Sequence, residues 1–507
     1  MILVWMMWKI KYIQETYLEG IKRIVAIQQK SLKLNAVLNV FRTAMNLIFP
    51  LITFPYTSRV LLPEGSGKIN FATSIVSYFS LIAALGINAY GIREGAKVRD
   101  NKQKLSQLTK ELFTISMVST VVAYSLFFVA IFFVPKFSEY RVLLCISSAS
   151  ILLGTLSIEW LYSATEDYVF ITIRSFVFQI ISIILLFIFV KTKEDYLICA
   201  GINVFSSAGS SVTNFIHRRK IVNLKTGIKT NLKQHLKPIF ILFAMSVTTS
   251  IYTLLDTSML GFISGDFEVG IYHAATKINK LVLSLVVSIG TVLLPRLSYF
   301  SGNNNQKDFE KLIYKAFGIV LLLGCPCTIG LCLLCKPVVL LLSGESYVQA
   351  IPVMRIMNPI IIIISLSNVI GIQMFMPLKK EKWTLYSVIA GAVTNFTLNL
   401  LLIPKLASTG AAIATLVAET IVTATQFIMA KNMINLSKIL RMFIIYIGNS
   451  LVMGIAVFLV IMFTQNVYIQ LLIGFTVGVL VYIGILFVEK NEFINSFILS
   501  IRNKGRK

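Results

Sequence analysis

Fourteen apolar runs of about twenty residues, each bounded by charge, proline or glycine, constrain this 507-residue chain more than any other feature. A bilayer core about 30 Å thick takes roughly 20 apolar residues per helix, so each run is a candidate span. The runs lie at 34–57, 71–92, 112–134, 142–163, 168–190, 196–216 and 238–263. They continue at 269–294, 312–335, 350–376, 383–403, 409–430, 442–464 and 468–488. Only 14% of the residues are charged, whereas soluble domains carry about a quarter. The pattern excludes a soluble enzyme and predicts an all-α polytopic membrane protein.

Charge then orients the chain. There are 47 Lys and Arg against 22 Asp and Glu, a formal charge of +25. With the N-terminus inside, the cytoplasmic segments hold 33 basic residues and the outside loops hold 8. That bias is a positive-inside signal, so both termini are expected in the cytoplasm. The basic excess is therefore read as topology, and no nucleic-acid partner is expected. Two stretches concentrate it, 93–104 and 217–237. Anchoring against anionic membrane lipids explains them at about 1 kcal/mol per basic residue. Handling of a charged headgroup is the sharper alternative.

The second basic stretch divides the sequence. The expected organisation is a cytoplasmic segment (1–33), a six-span lobe (34–216), a basic linker (217–237) and a second six-span lobe (238–430). Residues 431–507 add two spans and a basic tail. The opening MILVWMMW is too short for a span, and no basic region precedes it, as a signal peptide would require. Residues 9–33 read as an interfacial amphipathic helix or as sequence upstream of the true start. A faint repeat supports duplication. Gly67-x4-Ala72-Thr73-x-Ile75 returns as Gly270-x4-Ala275-Thr276-x-Ile278, a displacement of 203 residues.

Nine charged residues fall inside spans: Arg42, Arg174, Lys277, Lys280, Lys315, Arg355, Glu159, Asp256 and Glu419. A charge at the bilayer centre costs about 2.5–3.5 kcal/mol even on lenient scales. Glu159, Arg174, Lys315 and Arg355 sit close enough to span ends to snorkel. The other five need a different explanation. Lys277 and Lys280 are spaced i, i+3, so they share a helix face. Asp256 lies among Leu, Met and Phe between Thr253 and Thr257, and Arg42 precedes Pro50 and Pro55 in the first span. One reading is a structural ion pair, such as Asp256 with Lys277. The favoured reading is a water-filled cationic cavity that accepts an anion, with Asp256 tuning or gating it.

Other chemistry is poorly supported. Cys325, Cys327, Cys332 and Cys335 lie on one apolar run without histidine, and read as packing residues. Three histidines in the chain argue against a His-based metal centre, and no phosphate-binding Gly-rich loop occurs. The longest outside loop, 336–349, is too short to carry a polymerase or ligase site. No catalytic residue, metal or cofactor is nominated.

Four stretches carry a resemblance: FPYTSRVL (54–61), ALGINAYGIREGAKVRD (84–100), LLDTSMLG (254–261) and GIYHAATKI (270–278). From about residue 31 onward the chain resembles the bacterial capsule and O-antigen repeat-unit flippases. These belong to the multidrug/oligosaccharidyl-lipid/polysaccharide exporter superfamily. The resemblance implies two six-helix lobes around a central cavity that opens alternately to either side. It implies a multi-pass protein of the bacterial cytoplasmic membrane and a cargo of undecaprenyl-pyrophosphate-linked oligosaccharide. A polysaccharide polymerase and glycosyltransferases would be candidate partners. Arg42, Arg59, Arg93, Lys277 and Lys280 match basic, substrate-binding positions, and Asp256 matches an acidic one, with Glu419 as a second candidate for coupling or gating. The alternative on the same fold is a cation-coupled multidrug-type exporter. Six basic against three acidic residues within the spans favours the anionic cargo.

Overall fold

The computed structural model describes residue 45 and residues 48–225, 230–291, 293–303 and 305–491. The N-terminal segment 1–33 and most of the basic tail lie outside these residues. The described chain is helical, and each of the fourteen apolar runs falls on helix, the first from residue 48 onward. Helix α1 covers 48–84 and is broken at Leu62, where φ is 58°. It is followed by α2 (Ile87–Val98), α3 (Lys102–Phe133), α4 (Arg141–Ser157), α5 (Glu159–Ala164), α6 (Tyr168–Phe189) and α7 (Tyr196–Ile221). The second half begins with α8 (Lys233–Ile263), α9 (Asp266–Thr291), α10 (Leu294–Gly302), α11 (Gln306–Leu333) and α12 (Cys335–Leu342). Then come α13 (Ala350–Met357), α14 (Ile360–Asn368), a π-helix (Val369–Phe375) and α15 (Glu381–Ala430), which is broken at Ala407. Helices α16 (Leu436–Phe463) and α17 (Val467–Val488) complete the bundle.

The turns alternate between two faces. One carries the loops near 62, 134–140, 190–195, 264 and 343–349 and is poor in basic residues. The other carries Arg93 to Lys104, Arg218 to Lys225, Lys233 to Lys237 and Lys379 to Lys382, and is the basic face.

At the charge-poor face the two halves are pressed together. Phe71, Ala72 and Ile75 from α1 share one buried cluster with Val269, Ile271 and Tyr272 of α9 and with Tyr347 and Val353. Two glycines make this approach possible. A Cβ on Gly67 would fall inside the van der Waals shell of the Asp266 carbonyl, and one on Gly270 would do the same at the Pro63 carbonyl. These contacts are reciprocal, because Pro63 and Gly67 shifted by the repeat of 203 residues become Asp266 and Gly270. The turn positions match as well: Leu62 and Gly265, also 203 apart, both hold positive φ, at 58° and 89°. The halves thus meet across a local pseudo-two-fold axis. Tyr140 adds a 2.6 Å hydrogen bond to Asp266, and Lys136 donates to the Gly261 carbonyl. Gly67→Val or Gly270→Val is expected to wedge this seal open. In a background without native cysteines, a cysteine at Thr73 should then react several-fold faster with a membrane-impermeant maleimide from the charge-poor side. An unchanged labelling rate would show that the seal tolerates the extra carbons.

The basic face is organised differently. Much of the expected linker is helical, since α7 runs on to Ile221 and α8 begins at Lys233. Arg218, Arg219 and Lys220 occupy the last turn of α7, where cations favour the carbonyl end of the dipole. Ile239 of α8 packs in a cluster with Tyr90, Leu105, Leu112 and Trp160, so the start of α8 belongs to the first half by packing. Gly86, at φ 73°, is pressed against the Leu242–Phe243 backbone of α8, where a Cβ would clash.

A buried polar network fixes the same junction. Glu111 lies 2.8 Å from the His235 ring and accepts from the Asn231 backbone N–H, also at 2.8 Å. The other ring nitrogen of His235 is 2.8 Å from the Tyr90 hydroxyl. With Glu111 only 2% and His235 6% exposed, removing the ring leaves the buried carboxylate with amide donors alone. His235→Leu should therefore cost about 3 kcal/mol, visible as a lower thermal midpoint in detergent. A midpoint within one degree of wild type would contradict that.

Candidate functional site

Helix α9 borders two cavities. His273, Lys277 and Lys280 are spaced by four and three residues, so they share one face, and that face meets both cavities. On one side His273 and Lys277 line a cavity of about 450 Å³ with Thr57, Asn70, Thr73 and Asn203. On the other side His273, Thr276, Asn279 and Lys280 line a cavity of about 580 Å³. The larger cavity runs from Asp256 to Met376 and the exposed Glu381 at the basic face. One helix therefore presents a cation to each chamber, while His273 borders both. Lys277 is half-buried and Lys280 exposed, and among the described residues no carboxylate lies within 4.0 Å of either.

Asp256, on α8, is 6% exposed and heads the larger cavity. Its Oδ1 accepts from Asn395 Nδ2 at 3.0 Å and Asn399 Nδ2 at 2.7 Å. Its Oδ2 accepts from Tyr272 Oη at 2.5 Å and Thr415 Oγ1 at 2.7 Å. Four neutral donors thus satisfy the carboxylate, and the ion pair with Lys277 weighed from the sequence does not form. Asn395 and Asn399 are spaced i, i+4 on α15 and so project from one face. Two amides at that spacing within an apolar run are the sequence signal that could have found this cradle. Glu419, on the second limb of α15, lines the same cavity as Asp256.

The remaining candidates lie elsewhere. Arg42 is outside the described residues. Arg59 is at the charge-poor face, donating to the Leu341 carbonyl at 2.5 Å and the Leu340 carbonyl at 3.5 Å. These are terminal carbonyls of α12, so the guanidinium serves as a helix cap that ties α1 to the second half. Arg93 is exposed at the basic face, 3.0 Å from Glu94 and over the Tyr90 ring. The structure therefore lines one cavity with Lys280, Asp256 and Glu419, places Lys277 in the neighbouring cavity, and separates Arg59 and Arg93 from them. Arg174 does not snorkel as its position suggested: it is 8% exposed and donates to the Ser210 carbonyl at 3.0 Å.

The family described as polysaccharide biosynthesis protein matches residues 33–301, more than half of the chain. The chain belongs to this family. A second family, MatE, matches residues 242–401. The putative O-antigen transporter of Escherichia coli (strain K12) is 28% identical over 405 residues, covering 79% of this chain and 97% of that relative. The probable low-salt glycan biosynthesis flippase Agl15 of Haloferax volcanii is 23% identical over 38% of this chain and 41% of its own length. Among solved structures, the lipid II flippase MurJ in an inward closed conformation aligns with a TM-score of 0.72 at 18% identity. The alignment covers 91% of this chain and 99% of that one. An inward-facing multidrug resistance MATE transporter aligns at 0.57 and 12% identity, over 78% of this chain and 95% of its own. The chain thus shares its helical fold with both neighbours.

Proposed function

We propose that this protein carries lipid-linked oligosaccharides, held by their pyrophosphate, from the inner to the outer leaflet of a bacterial cytoplasmic membrane. The observation that carries the reading is the placement of Lys277 and Lys280 on α9. Among the described residues, neither cation has a carboxylate within 4.0 Å; Lys277 borders a chamber between the halves and Lys280 one within the second half. Ammonium groups in that position suit an anion that is passed between chambers, and no covalent bond need be made or broken. With the basic face in the cytoplasm, the sealed face is extracytoplasmic. The larger cavity, reaching Glu381, is then the cytoplasmic entry. Alternating access requires the reciprocal glycine contacts to part while the basic face closes.

The multidrug-type alternative rests on Asp256 and Glu419 as sites for a coupling cation. It is weakened because both Asp256 oxygens are already engaged by neutral donors. Energetics supply the test. A pyrophosphate diester carries about two negative charges, and each is worth about 2.3 kcal/mol per 100 mV. Outward passage is thus favoured by about 4–5 kcal/mol at that potential. In vesicles containing the protein, undecaprenyl-pyrophosphate-linked N-acetylglucosamine should change leaflet, and faster with the interior negative. A rate equal to that of protein-free vesicles would refute the cargo assignment. Transfer that stops only when a proton or sodium gradient collapses would replace the charge-driven cycle with antiport.

A further inference from the structure

The larger cavity holds buried amides that nothing so far uses. Among the described residues, Asn279 is 5% exposed, and neither its Oδ1 nor its Nδ2 has a hydrogen-bond partner. Gln426 is 2% exposed and its Oε1 is likewise unpaired. Both residues line the cavity, Asn279 one position before Lys280. The Gln426 orientation agrees with its surroundings. The Ser387 hydroxyl spends its proton on the Thr384 carbonyl at 2.8 Å, so it accepts from Gln426 Nε2 at 3.1 Å, leaving Oε1 over. Leaving such groups unpaired away from water is costly, typically about 1–3 kcal/mol each.

The chemistry of the vacant partners is informative. Two unpaired acceptors and one unpaired donor belong to residues that line the same cavity. A phosphate oxygen could satisfy only the donor, whereas a hydroxyl both donates and accepts, and so can an acetamido group. The opposite wall is apolar, with Ile360, Ile364 and Val388, which suits the C–H faces of a pyranose. A π-helix, a form concentrated at functional sites, shapes one edge: Gly371 lies within it, and its carbonyl accepts from Thr384 at 3.1 Å.

We infer that this chamber is a saccharide subsite, in which Asn279 and Gln426 bind hydroxyl or acetamido groups of the sugar next to the pyrophosphate. The inference rests on the cargo reading above and adds to it a division of labour. Lysines take the charge, and amides in the larger chamber take the neutral sugar.

The full-length protein in lipid nanodiscs can be titrated with undecaprenyl-pyrophosphate-linked N-acetylglucosamine and with undecaprenyl pyrophosphate alone, using native mass spectrometry. Wild type should bind the sugar-bearing lipid at least tenfold more tightly. Asn279→Ala and Gln426→Leu should each remove most of that preference and leave binding of bare undecaprenyl pyrophosphate within twofold. Asn279→Ser, which keeps one hydroxyl, should retain part of the preference and serves if the alanine variant does not fold. Equal binding of both lipids by wild type would overturn the subsite while leaving the cargo reading intact. So would a loss shared by both lipids in the variants. Failure of wild type to bind either lipid would overturn the cargo reading itself.

Discussion

Replacing Lys277 and Lys280 together with Gln is expected to abolish surface polysaccharide while the protein remains inserted at normal levels. Hydrogen bonds to charged groups contribute about 1.5–3 kcal/mol each. Losing two corresponds to roughly a hundredfold or greater loss of headgroup binding, at about 1.4 kcal/mol per tenfold. Lipid-linked repeat units should then accumulate on the inner leaflet, as extraction and mass spectrometry would show. The single variants should separate the two chambers. Lys280→Gln removes the cation on the side reaching Glu381 and should weaken entry, whereas Lys277→Gln leaves entry and slows onward transfer. Normal surface polymer in the double variant would remove the basis for the assignment.

The second large effect belongs to Asp256. Alanine there removes the acceptor shared by Asn395, Asn399, Tyr272 and Thr415 in a site 6% exposed. Asn395 Nδ2 is left unpaired, and the other three keep only their contacts to Asn395 Oδ1, Thr415 Oγ1 and the Ala411 carbonyl. At about 1–3 kcal/mol for each buried unsatisfied group, Asp256→Ala should sharply lower the thermal midpoint. Asparagine is different. Its oxygen can keep both amide donors, and its NH₂ can face the two hydroxyls, which turn to accept. Asp256→Asn should therefore fold normally yet transport poorly, because the negative charge is gone. The defect should be of similar size for repeat units of different sugar composition, since a charge does not distinguish sugars. Selective loss of one saccharide would instead point to direct contact with cargo.

What the sequence discloses here follows from which forces act over short range. Hydrophobic length gives the spans, and each apolar run is found on helix because an unpaired backbone cannot face lipid. Lys277 and Lys280 were recognisable as a pair from their i, i+3 spacing. That they border two chambers was not, since residues about 60° apart on one helix face can still meet different neighbouring helices. Arg59 shows the converse. A motif position and a positive charge suggested an anion, but its guanidinium found carbonyls at the end of α12, 281 residues away in the chain. The Glu111–His235 contact was invisible for the same reason, as 124 residues separate its partners. The weak repeat became meaningful only in three dimensions, where Gly67 and Gly270 each meet the carbonyl of the other copy's turn.

That reciprocity has a kinetic consequence. The two contacts are related by a local two-fold axis, so a rigid rotation that separates one separates the other in the same movement. An opening that preserves the two-fold axis parts Gly67 from Asp266 and Gly270 from Pro63 together. The outer gate should behave as a switch with two settings, without a half-open stop. Distances measured across it in single molecules should fall into two discrete populations whose proportions, not positions, change with cargo.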